Sequence, residues 1–187
     1  MLETASRLFY ERGFHAVGID EIVATSGVAK MTLYRHFPSK DALIVAYLAQ
    51  SDDSFCAWFE RALDSADRPL DKLLAVFRAL ERLAQSPACI GCTFQVSAAE
   101  FPDPLHPAHA VAVRHKRDVR STFARLARDA RVRDAAGLAD ELLMLMDGAW
   151  VAARMFRRRS PAAHLVSAAE ALIDAHRPRR PNESRSA

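Results

Sequence analysis

The sequence predicts an all-α protein of about nine helices, and three observations support this. Apolar residues recur at spacings of three and four along most of the 187-residue chain, and no segment shows the sustained alternation of a half-buried strand. Half of the residues are hydrophobic, which suffices for a sizeable core. Prolines and glycines divide the apolar pattern into segments of helical length.

The N-terminal region predicts three short helices. The first ends at Gly13, a residue that tolerates positive φ, and the second covers about Ile19 to Thr25. Gly27 forms a tight turn, after which a third helix starts near Ala29 and is broken by Pro38. Two short helices therefore flank a glycine turn.

The rest of the chain predicts a helical body and a tail. Ser39 caps a long fourth helix, and Gly137 separates the seventh helix from the eighth. The other predicted helices start at Pro69, at about Thr93, after the proline cluster that ends with Pro107, at Leu138, and at Ser160-Pro161. We predict an N-terminal domain over 1–48, a helical body over 49–176, and a disordered tail over 177–187.

Composition and motifs exclude several classes of protein. A formal charge of +3 permits a polyanionic partner without requiring one. Three cysteines without disulfide-like spacing favour the cytoplasm, and no export leader or apolar run of about 20 residues is present, so a soluble protein is expected. A glycine-rich phosphate loop, a nucleophile elbow and a metalloprotease histidine pair are all missing, so we expect neither an enzyme nor a cofactor.

The glycine turn and its flanking helices meet the requirements of a helix-turn-helix. Gly27 supplies the turn, while Ile22, Val28 and Leu33 can hold the two helices together. The outward positions of the third helix carry hydrogen-bond donors, cations and one flexible apolar side chain: Lys30, Met31, Thr32, Tyr34, Arg35 and His36. Such side chains suit the major groove of duplex DNA.

The same segment resembles the TetR/AcrR family of transcriptional regulators. The resemblance covers about the first 48 residues and rests on Leu-Phe-Tyr-Glu-Arg-Gly-Phe at 8–14, Gly-Val-Ala-Lys-Met-Thr-Leu-Tyr-Arg-His-Phe at 27–37 and Pro-Ser-Lys-Asp-Ala-Leu at 38–43. It implies that Thr32, Tyr34 and His36 bond phosphates. It further implies that Lys40 adds a charge-assisted contact, that Thr25 touches the backbone, and that Lys30, Met31 and Arg35 approach base edges.

The sequence departs from the family pattern at two places. Val17 and Gly18 stand where the family commonly has Ser or Thr, so a phosphate contact and a helix cap are expected to be missing. The basic arm that commonly precedes the first helix is also missing, and we expect a truncated start. Residues 1–50 hold five Lys or Arg and five Asp or Glu, so DNA binding must depend on where the cations lie.

The resemblance assigns helix-turn-helix DNA binding to the domain over 1–48, and regulation, ligand binding and dimerisation to the body over 49–176. It thus implies a homodimer and an effector pocket in the body. The predicted interface comprises Gly148, Ala149, Ala152, Ala153, Leu165, Ala169 and Leu172. The predicted pocket comprises Trp58, Phe59, Phe77, Phe94, Phe123, Met144 and Trp150. For both sets the alternative is that the side chains form the core of the single chain.

The sequence thus predicts a homodimeric DNA-binding regulator, in family habit a repressor, that binds a palindromic operator in double-stranded DNA and is released by a small-molecule effector. Activation remains an alternative, and no membrane partner is expected. A rival hypothesis is a cytoplasmic thiol or metal sensor that uses Cys89 and Cys92, because a C-x-x-C pair can bind metal or cycle as a disulfide.

Overall fold

The computed structural model describes residues 1–177 and confirms the all-α prediction over that range. Its α-helices are α1 (Leu2–Arg12), α2 (Ile19–Ser26), α3 (Lys30–His36), α4 (Lys40–Asp64), α5 (Pro69–Ala84), α6 (Thr93–Glu100), α7 (Pro107–Asp129), α8 (Ala135–Phe156) and α9 (Leu165–His176). Two short 3-10 helices, Arg157–Arg159 and Pro161–His164, lie between α8 and α9. Residues 178–187, nearly all of the predicted disordered tail, lie outside the described range.

Helix ends follow the signals that the sequence provides. Gly13 ends α1 with φ 86°, and Gly27 ends α2 with φ 68°, both in the range that side-chain-bearing residues rarely adopt. The Ser39 hydroxyl accepts a hydrogen bond from the Ala42 N–H at 3.0 Å and so caps α4. Pro69 is the first residue of α5, where its missing N–H costs nothing.

Three predicted helix boundaries were wrong, each for a local reason. Gly137 lies in the first turn of α8, where its N–H donates to the N-cap carboxylate of Asp134 at 2.9 Å. Pro107 opens α7 instead of separating helices, since a first-turn proline loses no helical hydrogen bond. Pro161 starts a 3-10 helix, and α9 begins only at Leu165.

The chain divides into two compact units. Among the described residues, the first comprises 1–58 and 92–117, and the second comprises 59–91 and 118–177. The division falls within α4 and α7, and it groups α6 with the N-terminal helices, whereas the sequence analysis placed a boundary after residue 48. The functional boundary remains a prediction, because the two units are defined by contacts alone.

The first unit is built around aromatic side chains. The ring centroids of Phe9 and Phe14 lie 5.4 Å apart, and Tyr47 lies 5.8 Å from Phe9 and 6.0 Å from Phe14. Ile22 and Leu33 are fully buried in the same cluster. This packing joins α1, α2, α3 and α4 in one cluster, and the candidate site lies on two of these helices.

The second unit has a core of its own. The Phe123 ring lies 5.8 Å from both Phe59 and Phe77. A bidentate ion pair between Arg120 and Asp140 joins α7 to α8 on the surface. No helix within residues 1–177 combines the length and the apolar character that a bilayer crossing requires.

Candidate nucleic-acid interface

The α2–turn–α3 segment forms the geometry that the sequence predicts. The Gly27 N–H donates to the carbonyl of Val23 at 3.1 Å, which closes the end of α2 before the chain reverses. Ile22 of α2 and Leu33 of α3 have no exposed surface. Because Leu33 is the buried residue of α3, the other sides of this seven-residue helix face outward.

All eight predicted DNA-contact residues have accessible surface. Met31 is 82% exposed and Tyr34 is 42% exposed, although large apolar side chains are normally buried. Thr25, Lys30, Arg35 and His36 are exposed too, while Thr32 and Lys40 are half-buried. The structure therefore brings these side chains to the surface of the α2–α3 region, and their individual roles remain predictions.

The expected missing cap is observed. Gly18 precedes α2 without a side-chain hydrogen bond to the helix, and Ala29 precedes α3 in the same way. The N–H groups in the first turn of each helix are therefore not capped by their N-cap side chains. N–H groups at the start of a helix can bond an anion such as a DNA phosphate.

Asp20 is a neighbour of the site that the sequence analysis did not single out. Its carboxylate accepts a hydrogen bond from the Lys30 ammonium at 2.6 Å. This hydrogen bond and the carboxylate charge raise the pKa of Lys30. Ten residues separate the two, and only the turn at Gly27 brings them together, so no local spacing rule could have indicated the pair.

A second ion pair near this surface engages a cation of α1. Arg12, at the end of α1, pairs with Glu21 of α2, and its guanidinium also donates to the Ala16 carbonyl at 3.4 Å. Arg12 therefore links α1 to α2. The cations on the outer side of α3 are Lys30 and Arg35.

The predicted pocket residues fall into three groups. Phe59, Phe77, Phe123 and Trp150 are buried in the second unit. Trp58 and Phe94 belong to the first unit, where the Phe94 ring stacks on His115 at 3.7 Å. Met144 is 66% exposed in the single chain, and the predicted pocket remains a prediction.

The residues of the predicted dimer interface differ in burial, and their role in a dimer remains a prediction. Ala149, Ala153, Leu165 and Ala169 are buried within the chain, because their sides of α8 and α9 pack into the second unit. Gly148 is exposed, while Ala152 and Leu172 are half-buried.

The sequence analysis missed the large side chains on the outer side of α8. Met144, Val151 and Met155 are 66%, 45% and 68% exposed. Together with Gly148 they follow spacings of four, three and four, which places them on one side of the helix. We call these four residues the α8 stripe. The apolar pattern on all sides of α8 indicated burial on several faces but could not assign each residue to the core or to the outside.

The cysteine pair gains no support as a metal or redox site. Cys89 is buried, Cys92 is half-buried, and no disulfide joins them. Among residues 1–177, no group of three or more His, Cys, Asp or Glu side chains is arranged to hold a metal ion.

Two short helices around a glycine turn, with a buried seam and a polar outer side, define the helix-turn-helix class of DNA-binding elements. Comparisons with known proteins agree with this class. A family model described as "Bacterial regulatory proteins, tetR family" matches residues 1–47. A crystal structure of a TetR-family transcriptional regulator from Streptomyces coelicolor is 35% identical and superposes with a TM-score of 0.90, over 95% of this chain and 94% of that one.

Two curated relatives extend the comparison. The HTH-type transcriptional regulator YjdC of Escherichia coli is 30% identical over 134 residues, which cover 70% of this chain and 68% of YjdC. The HTH-type transcriptional activator FasR of Mycolicibacterium smegmatis is 38% identical over 79 residues, which cover 42% of this chain and only 36% of FasR. The chain belongs to the TetR family of bacterial regulatory proteins.

The Lys30–Asp20 pair generates a first prediction. Asp20→Asn removes a carboxylate beside the DNA-facing helix and releases the Lys30 ammonium, so affinity for duplex DNA should rise several-fold. The logarithm of the affinity should also fall more steeply with the logarithm of the salt concentration, by the amount expected for about one additional phosphate contact. Fluorescence anisotropy between about 50 and 200 mM salt measures both effects. Glu11→Gln, which removes a carboxylate paired with Arg7 on α1, is the control. Equal effects of both substitutions would attribute the gain to net charge and not to Lys30.

Proposed function

We propose that this protein is a transcriptional regulator that binds a palindromic operator as a symmetric homodimer and is released by a small-molecule effector. The observation that carries the proposal is the exposure of Lys30, Met31, Tyr34, Arg35 and His36 on one short helix. Lys and Arg match the guanine O6 and N7 acceptors, and Met31 can pack against a thymine methyl group. Operator DNA lies in the cytoplasm of bacteria, so a cytoplasmic location belongs to the proposal.

A test of DNA binding starts with selection of the operator from promoter fragments of the protein's own genome. Lys30→Ala should lower affinity for the selected operator by about 1–3 kcal/mol and relax discrimination at one base step. Tyr34→Phe should weaken binding to all sequences alike, because a phosphate contact carries no sequence information. Both are measured by gel shift with matched and base-substituted duplexes.

Arg114→Ala is the matched control, because Arg114 is an exposed cation of the first unit on α7. Its loss should leave operator discrimination unchanged. If wild-type protein retards no genomic fragment, the proposed function is wrong. If it retards a fragment but neither Lys30 nor Tyr34 affects binding, α3 is not the reading helix.

The α8 stripe supports the homodimer. A single recognition helix makes too few contacts for a useful site, and a two-fold dimer presents two helices about 34 Å apart, one turn of DNA. Met144, Val151 and Met155 expose apolar surface to water, and Gly148 has no heavy atom within 4 Å of the position that a Cβ would take. Burial of the stripe against its copy would remove this surface from water.

The dimer hypothesis predicts that Val151→Glu produces monomers, because a carboxylate in an apolar interface loses its hydration without gaining a partner. Sedimentation velocity should show the change, and operator affinity should fall by at least about tenfold because one half-site contact is lost. Ala57→Glu adds the same charge at an exposed position of α4 and should change neither measurement. A Val151→Glu protein that still sediments as a dimer contradicts an interface along the α8 stripe.

The effector part of the proposal concerns the aromatic residues of the second unit. Phe59, Phe77, Phe123 and Trp150 are all buried there, and a small, partly apolar molecule is the ligand class that such side chains accept. The competing interpretation, that they only form core, remains open to test. Repression is the proposed direction of control, although the relative FasR is an activator.

The effector hypothesis is testable through the two tryptophans of the chain, Trp58 and Trp150. The compounds to test are the substrates and products of enzymes encoded beside the operator. One of them should shift the tryptophan emission and lower the affinity for the operator, because effector binding and operator binding change each other by the same factor. Phe123→Leu should weaken the response to this compound by about tenfold, the equivalent of about 1.4 kcal/mol. Phe9→Leu, at an equally buried ring of the first unit, is the control. Equal responses of both variants would assign Phe123 to core packing alone.

A further inference from the structure

Within the first unit, the end of α6 is fastened to the loop between α1 and α2. Glu100 is the last residue of α6, and its Oε2 accepts hydrogen bonds from the backbone N–H of Phe14 at 2.9 Å and of His15 at 2.6 Å. Two successive N–H groups that converge on one oxygen form an anion-binding concavity of the backbone. Hydrogen bonds to an ionised carboxylate are stronger than those between neutral groups.

The other carboxylate oxygen of Glu100 lies against Gly13. A Cβ at position 13 would lie 2.3 Å from Glu100 Oε1, a distance at which one of the two atoms must move. Gly13 also has φ 86°, an angle that residues with a side chain rarely adopt. Both the backbone conformation and the close approach of Glu100 therefore favour glycine at this position. Both oxygens of Glu100 are therefore in contact with the same loop.

The contact continues on both sides of the carboxylate. His15 Nε2 donates to the backbone carbonyl of Glu100 at 2.8 Å, so the two residues bond each other reciprocally. The Phe101 ring lies 5.0 Å from the His15 ring and 5.7 Å from the Phe14 ring. The loop is thus held by three hydrogen bonds and by aromatic packing against one short stretch of chain.

The segment that carries Glu100 is itself bonded to α7. The Ser97 hydroxyl, which is fully buried, donates to the Ala108 carbonyl at 3.0 Å. His109 Nδ1 donates to the Phe101 carbonyl at 2.8 Å. The carboxylate therefore connects the α1–α2 loop to α6 and, through α6, to α7.

This connection lies close to the helix-turn-helix. Only three residues separate His15 from Ile19, the first residue of α2, and Val17 among them is fully buried. Fixing the N–H groups of Phe14 and His15 therefore fixes where α2 starts, and α3 follows through the turn at Gly27. The orientation of the outer side of α3 relative to α7 thus depends on Glu100.

We propose that Glu100 is a positioning residue for DNA binding: it holds the α2–α3 pair at one orientation to α6 and α7, so that the two α3 helices of a dimer match a single half-site spacing. The inference rests on the proposed function. Glu100 acts on α3 through its hydrogen bonds to the α1–α2 loop. Without its carboxylate the aromatic core of the first unit remains, but the α2–α3 pair samples a range of orientations.

The first experiment measures orientation directly and needs no DNA. Backbone N–H residual dipolar couplings are compared between α2–α3 and α6–α7 in wild-type protein, Glu100→Ala and Glu100→Gln. In wild type both pairs should fit one alignment tensor. In Glu100→Ala the α2–α3 couplings should fit a separate, smaller tensor, whereas Glu100→Gln keeps a neutral acceptor oxygen and should stay close to wild type. Asp53→Ala removes an exposed carboxylate of α4 and is the control.

The second experiment measures the spacing requirement by fluorescence anisotropy with the selected operator. One inserted base pair between the half-sites moves one of them by about 3.4 Å and turns it by about 35°. Wild type should lose at least about tenfold in affinity on insertion, whereas Glu100→Ala should bind the native operator about tenfold more weakly and distinguish the two spacings by less than about threefold. An isolated half-site should bind both proteins equally.

The outcomes separate positioning from stability. If Glu100→Ala keeps one alignment tensor and the wild-type spacing preference, the inference is overturned, even where the melting temperature falls. If wild-type protein binds no duplex, the proposed function is wrong, whatever the dipolar couplings show. If all couplings of Glu100→Ala fit a single alignment tensor, the positioning role of Glu100 is wrong, whatever the DNA-binding result. Two tensors together with lost spacing selectivity, both reversed by Gln, support Glu100 as the positioning residue.

Discussion

The DNA-facing surface depends on the burial of two aliphatic side chains. A helix of seven residues is not stable in water by itself, because nucleation costs more than so few hydrogen bonds return. What maintains α3 is the packing of Leu33 into the cluster that also contains Ile22, across a turn that Gly27 permits. Since Leu33 occupies the buried side, the polar and charged residues of α3 must face outward. The same constraint therefore stabilises the helix and orients its outer side.

Local placement of charge matters more here than net charge. The N-terminal 50 residues are formally neutral, and Arg12 is engaged by Glu21 while Lys30 is engaged by Asp20. Ion pairs between exposed groups contribute little to stability, so the Lys30–Asp20 pair costs little to break. Under the proposed function, a phosphate or a guanine that approaches Lys30 must nevertheless compete with this carboxylate. Asp20 would then weaken the attraction to any polyanion and favour sites that offer Lys30 a better partner.

Sequence patterns predicted the elements and the exposed side of α3 because both depend on local rules. Gly13, Gly27 and Ser39 act within one helical turn, and a period of 3.6 residues assigns Leu33 to the inside. Contacts between distant residues were not predictable in this way. Glu100 reaches Phe14 across 86 positions, and no propensity or motif encodes that pairing. For the same reason the sequence could not show that Ala149 and Ala153 are buried within the chain itself. Small residues permit close approach to any neighbour, within a chain or between chains.

The α8 helix poses a packing problem that a single chain leaves unsolved. Its inner side, with Leu138, Leu142 and Met146, is buried, yet Met144, Val151 and Met155 on the outer side remain in water. A helix that is apolar on all sides requires partners on all sides. Suppose that a second copy covers the α8 stripe. The two α3 helices then hold a constant relative position only if each α3 is held rigidly within its own chain. The dimer contact and the Glu100 contact would then be complementary. The first would set the distance between the subunits, and the second would fix the orientation of the α2–α3 pair within each subunit.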